Sequence, residues 1–266
     1  MIRVFPRKTN ATPTDQLAYY TGPPLWQLEE RNVMISCTFT YDKPKAEALA
    51  DQWSSAGYNV NLGGPAYDDH GDEFVPGRYI KDGFTITSRG CNNKCWFCHV
   101  PRREGKIREL EIKNGFNVLD SNLLQCSEDH IRSVFAMLKK QKEKARFTGG
   151  LEAAKLQDWH VDLMVDLKPY LFFLAYDTED DYEPLRQAST MLTEAGFNDR
   201  QAMCYCLVGY PKDTMEKAEK RLRNTFELGL MPMAMLYRDE NGQVDQEWRK
   251  FQRIWIRPWI IKSRMK

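Results

Sequence analysis

A chain of 266 residues, 42% hydrophobic and 28% charged, carries enough apolar material for a sizeable core, which excludes a disordered polymer. Its 38 Lys and Arg nearly cancel 37 Asp and Glu, excluding a globally basic nucleic-acid coat but not a local basic patch. No apolar run reaches the roughly 18–20 residues of a membrane helix, the N-terminus is broken by charge and proline too early for a signal peptide, and seven cysteines is an odd number for a disulfide framework. The expectation is a cytoplasmic protein with no membrane partner.

Residues 1–77 predict an N-terminal β-α-β appendage. A strand over 1–6 precedes a polar stretch ending at Pro23-Pro24, and a β-branched run over 33–39 follows. A helix starting at Asp42 and Pro44 places Ala46, Leu49, Ala50 and Trp53 on one face and stops at Gly57, before a strand over 58–62. Residues 68–75 read as an acidic surface loop. Residues 78–238 then alternate strands over 84–88, 117–120, 146–148, 171–175, 203–208 and 233–237 with helices. The helix over 127–144 has Ser127 as N-cap and buries Ile131, Val134, Phe135 and Leu138; that over 214–228 buries Ala218, Leu222 and Phe226 and stops at Gly229. Six β-α steps predict a parallel sheet and fall short of the eight of a closed barrel, so the fold expected is α/β, an open, partial (β/α)6 TIM-like barrel. Residues 239–266 form a C-terminal extension, in which Gln246 onward holds seven Lys and Arg against one acid, Glu247.

The densest chemistry is in Ser88-Arg89-Gly90-Cys91-Asn92-Asn93-Lys94-Cys95-Trp96-Phe97-Cys98. A C-x3-C-x2-C spacing lets three thiolates from one loop meet one metal centre, and chance supplies on the order of 0.005 such placements in a chain of this cysteine content. A closed zinc site wants four protein ligands, and no convincing fourth lies nearby. Thiolates equally suit an iron–sulfur cluster, where three cysteines instead of four leave one iron open.

This loop resembles that of the radical S-adenosylmethionine (SAM) superfamily, with Phe97 at its aromatic position. The resemblance spans residues 78–238 and implies a [4Fe–4S] cluster on Cys91, Cys95 and Cys98, SAM on the open iron, and a one-electron reductant such as flavodoxin or ferredoxin as partner. It implies an enzyme, an oxidoreductase or transferase by class, that cleaves SAM reductively to methionine and a 5′-deoxyadenosyl radical able to abstract hydrogen from substrate. It also implies SAM contacts. Asp120 and Asn122 stand where an Asp-x-Asn variant would meet the SAM amino group, the alternative being a strand-ending Asx turn. Thr148 ends the third strand beside Gly149-Gly150. Asp177 resembles a ribose contact or else a helix cap, and Val208 and Gly209 open a Gly-x-Pro-x-x-Thr turn resembling the backbone that lies against adenine. The N-terminal zone resembles a trimmed form of the Rossmann-like domain of cobalamin-binding members. The cobalamin-ligating Asp-x-His-x-x-Gly pattern is missing, since Asp69-His70-Gly71 has the wrong spacing, so no cobalamin is expected. The layout also resembles an uncharacterised group of short bacterial and phage members, which names no substrate.

Several features leave alternatives open. Cys204 and Cys206 share one strand face and are either hydrogen donors lining a barrel or small core residues; Cys126 and Cys37 read as core or loop. His99, His130 and His160 read as surface or capping histidines. The basic stretch 101–108 binds phosphates of a nucleotide or nucleic acid, or is a solvated face. Trp248, Phe251 and Trp255 fall at helical spacing and either pack over the barrel's open side or stack on bases. The substrate is thus a nucleotide or nucleic acid, or a small metabolite undergoing rearrangement; a non-catalytic metal-binding module is the reading outside enzymology.

Overall fold

Two parallel β-sheets organise the chain in a computed structural model that describes residues 1–69, 73–239 and 242–265. The first has the order β2-β1-β3-β4, formed by β1 (Ile2–Val4), β2 (Ala18–Tyr19), β3 (Asn32–Ser36) and β4 (Asn59–Gly63), with helix α1 (Lys43–Ser55) between the last two. It is larger than the single β-α-β unit its sequence predicts. The two-residue β2 is too short to show a period, and it joins through parallel pairing of Arg3 with Ala18 and Val4 with Tyr19. The sheet has its own hydrophobic cluster, in which Ile2, Val4, Val33 and Ile35 meet Ala46, Leu49 and Trp53 of α1. The expected loop 68–75 lies partly outside the described residues, as do His70 and Gly71 of the 69–71 pattern.

The second sheet is formed by β5 (Phe84–Thr85), β8 (Asn117–Val118), β9 (Arg146–Phe147), β10 (Leu171–Ala175), β11 (Ala202–Val208) and β12 (Met231–Leu236), paired in that order, all parallel. Between β5 and β8 the chain makes a two-stranded antiparallel ribbon, β6 (Ser88–Arg89) and β7 (Arg108–Glu109), enclosing the cysteine loop and the short helix α2 (Val100–Arg103). Helices α3 (Glu128–Lys139), α4 (Asp158–Leu167), α5 (Tyr182–Glu194) and α6 (Met215–Glu227) make the crossovers. Ser127 caps α3 by accepting from His130 N, and α3 ends at Lys139, five residues before the predicted stop. Along β11 burial alternates. Ala202, Cys204, Cys206 and Val208 join the core shared with the helices, and the other face presents Met203, Tyr205 and Leu207. On that face Tyr205 stacks on Phe173 of β10 at 4.1 Å.

Helices α7 (Gln246–Ile254) and α8 (Pro258–Arg264) close the described chain. The aromatic stripe packs. Phe251 and Trp255 enter the main core, Trp255 O accepts from Ala234 N at 3.0 Å, and Gln252 donates to Ala234 O at 3.1 Å. The extension therefore covers the free hydrogen-bonding edge of β12. No helix among the described residues is long and apolar enough to cross a membrane.

Candidate functional site

The cysteine loop leaves the ribbon at Gly90, whose φ of +85° and contact with the Lys106 carbonyl leave no room for a Cβ. Polar contacts hold the loop's shape. Gly90 N donates to Glu104 Oε2 at 3.1 Å, Cys91 N to Gly105 O at 3.1 Å, Asn92 N to Gln125 Oε1 at 2.7 Å, and Ile107 N to Asn92 Oδ1 at 3.2 Å. Cys91 and Cys98 are half-buried and Cys95 is exposed; all seven cysteines are free thiols. The three loop thiols share one electrostatic neighbourhood. Desolvation pushes the Cys95 thiol up to about 11, helped by Cys98 and Cys91, and raises Cys98 in the same way. Among the described residues no three His, Cys, Asp or Glu side chains gather into a group that could hold a single metal ion.

Asp120 and Asn122, adjacent in the predicted motif, have different jobs. The Asp120 carboxylate is buried and saturated, accepting from Thr87 N and Thr87 Oγ1 at 2.6 Å and from Ser88 Oγ at 2.7 Å. It ties β8 to the start of the ribbon, and burial raises its pKa despite those donors. Asn122 stands beside the cysteines, its Nδ2 3.6 Å from Cys91 Sγ and donating to Glu152 Oε2 at 2.7 Å. Its Oδ1 is buried without a hydrogen-bond partner, which marks the one acceptor of the motif left free for a ligand donor. Thr148 donates to Asn117 Oδ1 at 2.7 Å and so braces β8 against β9.

At the carboxyl end of β10, Asp177 Oδ1 accepts from Leu207 N at 2.9 Å. Burial pushes its carboxyl up to about 6, with Asp181 adding to the rise. Beyond β11, Val208 O accepts from Tyr237 N at 2.9 Å, and Gly209, at φ +75°, donates its N–H to Asp213 at 2.9 Å. The space a Cβ would take at Gly209 is filled by Trp248 and Leu236 at 3.0 Å, so this glycine admits the C-terminal helix. Asp213 is fixed in turn by Arg221 at 2.8 Å. Phe97 packs edge-on to Trp96, and Trp96, half exposed, reaches Tyr210 at 5.5 Å and Tyr237 at 6.0 Å. The aromatic rim thus links the loop after the first strand to the segments after the last two.

Sequence reasoning missed Glu152, Gln125 and Glu104. Glu152 Oε2 accepts from Asn122 and from Gln125, each at 2.7 Å, and Gln125 also bonds Asn92 and Asn93, so one carboxylate orients the residues flanking Cys91. The only signal was the polar, glycine-rich end of the third strand just before it. Glu104 lies within the basic stretch; burial opposes its ionisation, but Arg103 and Gly90 N outweigh this and hold it below the usual range. Cys204 and Cys206 face the helix layer, where Cys206 lies 3.4 Å from Thr225 Oγ1, away from the rim. His130 is buried between Thr87 and Glu109, His160 caps α4 by accepting from Gln157 N at 3.0 Å, and His99 is exposed. No protein-family model matches this chain, and no curated protein matches it.

Proposed function

We propose that this chain is a radical SAM enzyme. The observation that carries the reading is the C-x3-C-x2-C loop, positioned after the first strand of six parallel strands paired in sequence order, with a free buried carboxamide oxygen beside its first cysteine. That strand order, and the contact of Trp96 with Tyr237 across it, fit a sheet curled into a partial (β/α)6 barrel. Ligands of parallel sheets collect at such carboxyl ends.

The donor set fits a [4Fe–4S] cluster. Three soft thiols sit in one loop, and a cluster offers each thiolate a separate iron, whereas a closed zinc site needs four ligands around one ion. Cys91, Cys95 and Cys98 would hold three irons and SAM the fourth. The chemistry supplied there is one-electron cleavage of the SAM C5′–S bond to methionine and a 5′-deoxyadenosyl radical that takes hydrogen from substrate. The chain's own residues orient and shield. Asn122 Oδ1 would accept from the SAM ammonium while Glu152 holds its amide, and Asp177 would offer its second carboxylate oxygen to a ribose hydroxyl. Trp96 and Phe97 keep water from the loop. A one-electron donor such as flavodoxin or ferredoxin is the partner this reading requires, and a reducing, cytoplasmic setting suits its free thiols.

The test is anaerobic reconstitution with iron and sulfide, then dithionite and SAM, with 5′-deoxyadenosine quantified by mass spectrometry in wild type and Cys95→Ala. Product from wild type alone is expected. A chain that takes up zinc and no iron sinks the reading.

A further inference from the structure

A cavity of about 560 Å³ lies between the two sheets, next to the cysteine loop. The first sheet contributes Ser36, Thr38 and Gly64 at and just beyond the carboxyl ends of β3 and β4, the second contributes Ile86 and Leu119 from just beyond β5 and β8, and the ribbon contributes Ser88. This volume suits a metabolite-sized group. Asp69, Glu73 and Glu104 line it together with Arg78, Arg89 and Arg103.

The arginine group is built on the ribbon. Arg89 and Arg108 are directly paired across β6 and β7, an arrangement that brings two like charges onto one face. Glu104 is the carboxylate in ion-pair reach of this group among the described residues, 2.7 Å from Arg103 and 3.7 Å from Arg89. Arg108 and Arg78 have no ion-pair partner among the described residues, and Arg89 Nε, Arg108 Nε and Arg108 Nη2 are buried without any hydrogen-bond partner. Glu104 is shared by Arg89 and Arg103, and Arg108 and Arg78 have no carboxylate of their own, so among the described residues this group carries more positive than negative charge. An oxyanion entering the cavity would supply that balance, and Phe74, Tyr79, Ile80 and Ile86 would receive an apolar body.

Resting on the function proposed above for the reaction, but not for the binding, we infer that this cavity takes a small organic oxyanion, a phosphate or carboxylate, as substrate, its anionic head held by Arg89, Arg103 and Arg78. Arg103 of the basic stretch 101–108 then serves a small molecule in place of nucleic acid.

The experiment uses the full chain, titrated calorimetrically with inorganic phosphate and separately with acetate, at ionic strength fixed with sodium chloride. Saturable binding of either probe at one site is expected, and which of the two binds tells phosphate from carboxylate. Arg89→Gln and, as a second variant should the first fail to fold, Arg78→Gln are expected to weaken it about tenfold, as loss of one charge-assisted contact does. Lys106→Gln, exposed in the same stretch, should leave it within about twofold. Binding of neither probe, or equal weakening by Lys106→Gln, overturns the inference. So does displacement of SAM by phosphate in reconstituted protein, which would return the arginines to the SAM site. Oxyanion binding intact in a protein that never yields 5′-deoxyadenosine would sink the enzyme reading while supporting the cavity site.

Discussion

Asn122 and Asp177 make opposite use of burial at the strand ends. Asn122 keeps a desolvated acceptor unpaired beside Cys91, a cost that a bound ammonium would remove. Asn122→Ala is therefore expected to weaken SAM binding about tenfold, read by equilibrium dialysis, while Gln125 still engages Glu152. Asp177 carries its cost as charge. Its pKa near 6 in the fold lies above the ordinary 3.8, so the folded state binds the proton more tightly than the unfolded chain. Stability is then greatest below about pH 4 as far as this group is concerned, falls as pH rises towards 6, and stays lower above it. Asp177→Asn removes that dependence. Urea unfolding should find the variant more stable than wild type at pH 7.5, by at most about 3 kcal/mol, with the difference gone by pH 4. A constant difference across that range would mean that Asp177 titrates as an ordinary carboxylate.

Element by element, the C-terminal helices show how exposure separates two tryptophans ten residues into a basic tail. Trp255 is fully buried in the main core and its carbonyl pairs with the edge of β12, whereas Trp259 is 67% exposed. Thermal or urea unfolding should put Trp255→Ala about 3–5 kcal/mol below wild type and Trp259→Ala within about 0.5 kcal/mol of it. The stripe that contains Trp255 was legible from helical spacing, but what it covers was not, because the partner is a backbone edge. The same division runs through the fold. Long or bounded segments announced themselves: β10 was read to the residue from its apolar run, and α6 from its apolar face and its stop at Gly229. Two-residue strands such as β2, β6 and β7 have no period to read, and the Arg89–Arg108 pairing that shapes the ribbon depends on their register. Within the candidate site the cysteines were legible from spacing alone. Asp120, read as a ligand residue, is spent on Thr87 and Ser88, and Glu152 reaches its partners across about thirty residues, beyond any local pattern.

At the scale of the whole molecule, consecutive strand pairing puts the first strand, β5, and the last, β12, at opposite edges of one sheet. A flat sheet would hold their following loops far apart, with strands nearly 5 Å from each neighbour. Trp96, which follows the first strand, nevertheless meets Tyr237, which follows the last, at 6.0 Å between rings. The long loop after β5 brings the aromatic rim across the strand ends, where Tyr210 joins it. Trp96 and Phe97 lie between Cys95 and Cys98 in sequence, and Trp96, half exposed, is the one of the two that carries the rim contacts to Tyr210 and Tyr237. Replacing it should leave the thiols in place and open the path to them. Reconstituted Trp96→Ala is therefore expected to carry as much iron as wild type but to lose its visible cluster absorbance several-fold faster in air. Equal iron and an equal rate of bleaching would show that the rim only braces the two ends of the sheet, whereas loss of iron would make Trp96 a prop of the loop itself.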